Sequence, residues 1–453
     1  MIKKPKKPEW LELLVSLKDL EHRVIAVLAL FLVIVSGVLL FNPDNSGVST
    51  VKSYPATVCP GNLSGGTSTS VLPSSETLVR SIPSTKSKLS KAKTTFYLSS
   101  NPLLVDGKNE TSINVTRSQS SSLATAICAI NESEQWFVGG AGSVVSKSSL
   151  QIINSGLSTS VVDLFIYTPN GVSPVNSIRV SKNSSKRIYL DTLAPGESSV
   201  VIHAITRSGR VTMFLYDQRQ RGLQNLGSDF VSQSAKPEKR TVIPAINNAI
   251  LSGRSTSQML RILAPGSVNA NVRAKLVARD GTFAPLELDD INLKGGEVKD
   301  IIFKPVLLAK NFSLVLTADQ PIVAAVKSSG IFDGANEFTW STPSQELQEL
   351  ILYFGGLRPQ VVFQGKNIEV DVEWTDRDRK VYSKTILGNE ENDIASWSPK
   401  SGVISAKFSA KSDQIYGGVI FKEKRGLSSL PLQAGAQLES SAIPILDARI
   451  ISR

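Results

Sequence analysis

The chain has 453 residues, with 50 Lys and Arg against 39 Asp and Glu, and a formal net charge of +11. Hydrophobic residues make up 41%, a share that suits a folded protein and excludes wholesale disorder. The only histidines are His22 and His203 and the only cysteines are Cys59 and Cys128, which nearly excludes a His-based zinc centre.

The chain opens on "MIKKPKKPEW", with Lys3, Lys4, Lys6 and Lys7, followed by Leu13, Leu14, Leu17 and Leu20 at helical spacing. Residues 1–23 read as a basic cytoplasmic tail with a juxtamembrane helix. Residues 24–41, "VIAVLALFLVIVSGVLLF", carry neither charge nor proline. At about 1.5 Å rise per residue this run spans close to a bilayer core. It predicts a single-pass transmembrane anchor. A cleaved signal fits less well, because its apolar stretch is roughly 7–15 residues and ends in a small-x-small site, which "NPDNSG" lacks. The lysines hold the N-terminus in the cytoplasm and place the rest, an ectodomain, outside the cell membrane.

Residues 42–122 are rich in Ser, Thr and Pro and predict a linker followed by a partly ordered region, with "TTFYLSS" and "TSINV" as strand-like pieces. The cluster Lys86, Lys88, Lys91 and Lys93 reads as a solvated linker, with attraction of anionic polymers as the alternative. Nothing supports nucleic-acid binding. Cys59 and Cys128, both on the exported side, predict one disulfide, worth roughly 4 kcal/mol in the chain-entropy model. Six N-x-S/T sequons, the first at Asn62, read as by-products of Ser and Thr abundance.

From Leu123 onward, short runs rich in Val, Ile and aromatics alternate with turn residues at roughly 8–12-residue spacing. "SVVDLFIYT", "SVVIHAIT" and "RVTMFLYD" are examples. The fold class is mainly β, with tandem Ig-like β-sandwich units following the transmembrane helix. The units are expected at 123–235 and 241–340, with a divergent third at 346–453, separated by "SAKPEKR" and "STPSQE". Asn170-Gly171 and Asp280-Gly281 predict hairpin turns. "SIRVSKNSSKRIYL" and "DINLKGGEVKDIIF" read as the same element in two units, and "SQELQELI" as a short helix.

The search for chemistry yields little. There is no G-x-S-x-G elbow, and Ser49-x-x-Lys52 and Ser90-x-x-Lys93 lack the companion motifs of a serine–lysine site. Glu369, Asp371 and Glu373 share one strand face, which reads as the charged outer side of a half-buried strand neutralised by Arg377, Arg379 and Lys380. Calcium binding and acid–base work on a sugar are the alternatives, and Asp289-Asp290 is a weaker case of the same kind. Trp136 and Trp374 read as core, whereas Trp340 and Trp397, next to turn residues, are candidates for an exposed glycan platform. No metal, cofactor or catalytic residue is predicted.

"CPG" at 59–61, Cys128 shortly before "WFVGGAG", and "TLAPGESSVVIHAITRSGRV" together resemble an uncharacterised actinobacterial family of membrane-anchored proteins, domain of unknown function 5719. The resemblance implies a cell-envelope location near cell-wall sugar metabolism and no established activity. The expected function is therefore non-catalytic: a scaffold or binding module touching an envelope glycan or envelope protein. The alternatives are an accessory subunit of a membrane glycosyltransferase or wall-assembly enzyme, and a carbohydrate-active enzyme built on Asp371.

Overall fold

The computed structural model describes residues 28–33, 35–36 and 56–435, apart from 86–87, 99, 107–109, 119–121, 249–256, 333, 389–392 and 425. The chain divides into two compact units, one of residues 1–52 with 439–453 and one of 53–438. In the first, residues 28–33 and 35–36 are helical, and Leu28, Leu30, Phe31, Leu32 and Val33 are exposed. Among the described residues no helix is long and apolar enough to cross a membrane. The expected tail 1–23, most of the expected anchor 24–41, residues 42–55 and the C-terminal 436–453 lie outside the described residues.

The second unit is built from strands whose inward and outward residues alternate. In Ala270–Ala278, Val272, Ala274 and Leu276 are buried while Asn271, Arg273 and Lys275 face solvent. This period of two commits each strand to one face.

The strands form four modules of one topology, each made of two sheets. With strands numbered along a module, one sheet runs 1-6-3-4 and the other 5-2-7-8. In the first module Thr57–Cys59, Leu103–Val105, Leu78–Ser81 and Ser90–Lys91 form one sheet, and Phe96–Leu98, Thr67–Val71, Ile113–Arg117 and Leu123–Ile127 the other. The second module runs from Glu134–Val138 to Gln224–Val231, and the fourth from Leu350–Leu357 to Gly426–Pro431. In the third, from Glu238–Asn247 to Ala335–Ser341, strands six and seven are fused. They form one long strand, Asn311–Phe332, whose first half pairs with Glu238–Asn247 and whose second half pairs with Ser257–Leu263.

Three expectations change. Residues 57–122, read as linker and partly ordered, together with Leu123–Ile127, read as the start of the next unit, carry a complete module. An immunoglobulin sheet pairs its first strand with its second, whereas here the first pairs with the sixth, so the two-sheet architecture is present with another strand order. "SQELQELI" forms no helix; its last residues begin the strand Leu350–Leu357.

The four modules close on themselves through apolar cores. Val58, Ala124 and Ala126 of the first pack with Phe214, Tyr216 and Phe230 of the second. The second module's core includes Leu263, Phe338 and Trp340 of the third. Ala245, Val277 and Phe332 of the third meet Val362, Ile420 and Leu427 of the fourth. Val71, Ile113, Val115 and Ile127 of the first share a core with Phe354, Phe363 and Phe421 of the fourth. In addition, Glu110–Thr111 of the first module adds a parallel strand to Leu350–Leu357 of the fourth.

Candidate binding groove

The last strands of the four modules, Leu123–Ile127, Gln224–Val231, Ala335–Ser341 and Gly426–Pro431, meet at a hub. Asp229, fully buried there, accepts four hydrogen bonds. Its Oδ1 takes the Phe230 N–H (2.9 Å) and the Ser428 hydroxyl (2.7 Å). Its Oδ2 takes the Thr339 hydroxyl (2.6 Å) and the Trp340 N–H (3.0 Å). Ser428 Oγ in turn accepts the Thr125 N–H at 2.9 Å, so one polar network joins all four modules. Burial pushes Asp229 up to about 8 despite these donors. Glu337, also buried, accepts the N–H groups of Ser228 (3.0 Å) and Phe338 (3.1 Å), and burial raises it to about 8. Burial thus shifts each carboxyl toward its protonated form, the direction expected of an acid inside a core.

Trp340 belongs to this interior. It is 0% exposed, and its Nε1–H donates to Asp217 Oδ2 at 2.9 Å. Burial alone would raise Asp217, but Arg219, Lys327 and the Ser148 hydroxyl hold it well below the usual carboxylate range. Arg261, 1% exposed, lies over the Trp340 ring and grips Asp300 through Nε and Nη2, both at 2.8 Å. Its Nη1 and Nη2 also donate to the carbonyls of Gly140, Val200 and Ser198, riveting the third module to the second. Trp397 is 4% exposed and packs edge-on against Trp374 and Phe408. The expected glycan platform fails at both tryptophans, because stacking needs a ring face open to solvent. Trp136 is core as expected, while Trp374 is half-buried and stacks on Tyr382.

The two cysteines form the Cys59–Cys128 disulfide, joining the first strand of the first module to the end of its last. Glu369, Asp371 and Glu373 share one face, as the alternation predicted. Among the described residues Asp371 is the one of the three with an ion pair, and its partner is not among the residues expected. Lys411 Nζ lies 3.4 Å from Asp371, and Lys407 Nζ lies 3.0 Å from the neighbouring Glu349. The Thr385 hydroxyl donates to Asp371 at 2.6 Å, and with Lys411 holds it below the usual range. This is an open, solvated face of mixed charge.

Arg377 and Arg379 point instead into a groove between the first and fourth modules. The turn after Glu369–Asp376 carries them there: Asp376 Oδ1 accepts the N–H groups of Asp378 (2.8 Å) and Lys380 (3.0 Å), and Arg379 sits at φ 61°. On the opposite strand a bulge between Tyr353 and Leu357 turns the chain through Gly355 (φ 62°) and Gly356 (φ 86°). A Cβ on Gly355 would stand 2.9 Å from Phe96 and Val71, so glycine is required by contact as well as by φ. Arg377 donates to the Gly356 carbonyl through Nε (3.1 Å) and Nη2 (2.5 Å). No ion pair among the described residues uses Arg377 or Arg379. The first module supplies Val71, Pro73, Ser74 and Phe96, the last 52% exposed. Among the described residues no carboxylate lines the groove. Reading by sequence placed the two arginines with the acids; the glycine pair "GG" at 355–356 was the available signal for a bulge.

Four two-sheet modules of one strand order closed about a polar hub, with a groove carrying two arginines where the first meets the fourth, describe a modular, mainly β protein. The chain belongs to the family of unknown function DUF5719, whose model matches residues 100–386. No curated protein matches it. Among solved structures, Thermotoga maritima 1070 aligns over 24% of this chain and 95% of its own length at 12% identity and a TM-score of 0.20. A tetra-tandem repeat from the extending region of a large adhesion protein aligns over 84% of this chain and all of its own (100%), at 9% identity and a TM-score of 0.11. The native alpha-2-macroglobulin of E. coli aligns over 82% of this chain and 28% of its own, at 10% identity and a TM-score of 0.12. None of these similarities is high enough to carry an argument about fold or function.

Proposed function

We propose that the protein is a non-catalytic, membrane-tethered scaffold or binding module of the cell envelope. Its N-terminus lies in the cytoplasm, residues 24–41 span the membrane once, and the four-module body stands outside. The observation that carries this reading is the uncharged apolar run 24–41, preceded by Lys3, Lys4, Lys6 and Lys7. Within it, residues 28–33 are helical with exposed apolar side chains, as suits a helix surrounded by lipid. The disulfide supports an oxidising compartment for the body. Asp371, paired with Lys411 and holding the Thr385 hydroxyl, suits a neutralised surface carboxylate better than a hydrolytic acid.

The test is a pair of C-terminal fusions in cells. Alkaline phosphatase, active only after export, is expected to be active, and a cytosol-only fluorescent protein dark. The reverse pattern would overturn the orientation, and a mature chain beginning beyond Asn42 would overturn the tether.

A further inference from the structure

We propose that the groove between the first and fourth modules binds an acidic saccharide, its carboxylate held by Arg379 with Arg377 beside it and its ring lying on Phe96. The proposal rests on the reading of the body as a binding module and names the ligand class of its groove.

Charge comes first. Among the described residues the lining holds two guanidinium groups and no carboxylate, and Arg379 makes no ion pair. An arginine fork is matched to a carboxylate in geometry as well as in charge. Arg377 is tethered by its two bonds to the Gly356 carbonyl and so gives the cationic end a fixed wall. The turn that places both arginines is itself locked by Asp376, so the cations are presented without loose loop entropy.

The rest of the lining selects among anions. Phe96 offers a half-exposed aromatic face, the surface on which the apolar face of a sugar ring rests. Around it Ser74, Ser75, Thr95, Thr375 and Ser405 supply hydroxyls suited to a polyol. The obvious competitor is an acidic peptide added as a strand to the outer edge of Phe96–Leu98, the edge strand of its sheet. That edge is already occupied at the groove. The Thr94 hydroxyl accepts the Phe96 N–H at 3.1 Å and lies 2.5 Å from the Phe96 carbonyl, to which it donates. With both main-chain groups of Phe96 taken locally, an added strand finds no ladder there, and the saccharide is favoured.

The experiment is calorimetric titration of the full-length protein in detergent micelles with tri-galacturonate, its methyl ester and tri-glutamate. Tri-galacturonate is expected to bind, more weakly as salt rises, with the ester and the peptide at least about tenfold weaker. Arg379→Gln is expected to lose about tenfold or more in affinity at an unchanged melting temperature, and Phe96→Ala to lose severalfold. Undetectable binding, equal binding of the ester or of tri-glutamate, or unchanged affinity in both variants would overturn the proposal. Titration in micelles does not depend on membrane orientation, so a failure here leaves the fusion test of the tether standing, and the converse.

Discussion

At the scale of the residue, burial decides the chemistry. Trp340 and Trp397 stand beside turn residues in sequence, which suggests exposure, but the second module's core takes in Trp340, and Trp374 and Phe408 of its own module cover Trp397. For Trp340 the cover comes from residues far along the chain and leaves no local pattern to read. Glu337 carries the first prediction. Its ordinary value of 4.5 rises to about 8 in the fold because of burial. The folded protein therefore keeps a proton that the unfolded chain releases between pH 4.5 and 8. Stability from this group is full below pH 4.5 and declines as pH climbs through that window, by up to about 1.4 kcal/mol per pH unit. Glu337→Gln removes the titration, so urea midpoints for the parent are expected to fall relative to the variant between pH 5 and 8; parallel curves would refute the assignment. Trp340→Phe makes a second case. It keeps an apolar ring but takes one donor from the buried, ionised Asp217. The expected loss is about 1–3 kcal/mol in chemical denaturation, and Leu at a surface site such as Tyr189 should cost far less.

At the scale of the element, the strands of the later modules were legible because their inward residues are apolar. The hairpins at Asn170-Gly171 and Asp280-Gly281 form where predicted, with Gly171 and Gly281 at φ 103° and 132°. The repeated pair "SIRV…KRIYL" and "INL…KDIIF" occupies the same two places, one strand in each sheet, in the second and third modules. In the first module "TTFYLSS" and "TSINV" marked two of the strands, but the module as a whole was not legible, for a physical reason. Its strands are two to five residues long, and its interior includes Ser68, Ser70, Asn114 and Thr116 hydrogen-bonded to one another. A buried polar face erases the apolar alternation on which strand reading depends. Such a module, with a small apolar core around Leu72, Val79, Leu103 and Val105, leans on its disulfide. Replacing Cys59 and Cys128 by Ser releases a loop closed over a sequence separation of 69. The expected cost is roughly 4 kcal/mol, read as a lower denaturation midpoint, and an unchanged midpoint would mean that the module is held by its neighbours alone.

At the scale of the whole molecule, the central fact is closure. Independent tandem domains meet across small polar contacts, whereas here the first and last modules share one apolar core and a parallel strand pair. Ser428 of the last module also holds Asp229 of the second and Thr125 of the first. Removing the fourth module therefore does more than shorten the chain. It uncovers Val71, Ile113, Val115 and Ile127, strips one hydroxyl donor from the buried Asp229, and removes the fourth-module wall of the groove together with Arg377 and Arg379. A chain ending at Thr342 should consequently lose protection in the first module, the one most distant in sequence. Hydrogen exchange at the amides of Leu123–Ile127 reads this directly, since those amides belong to a hub strand in the intact protein. Faster exchange there on truncation, together with a single coincident unfolding transition in the full-length protein, is the expected result. Unchanged protection would mean that the modules are beads on a string and that their shared cores contribute little to the first module's stability.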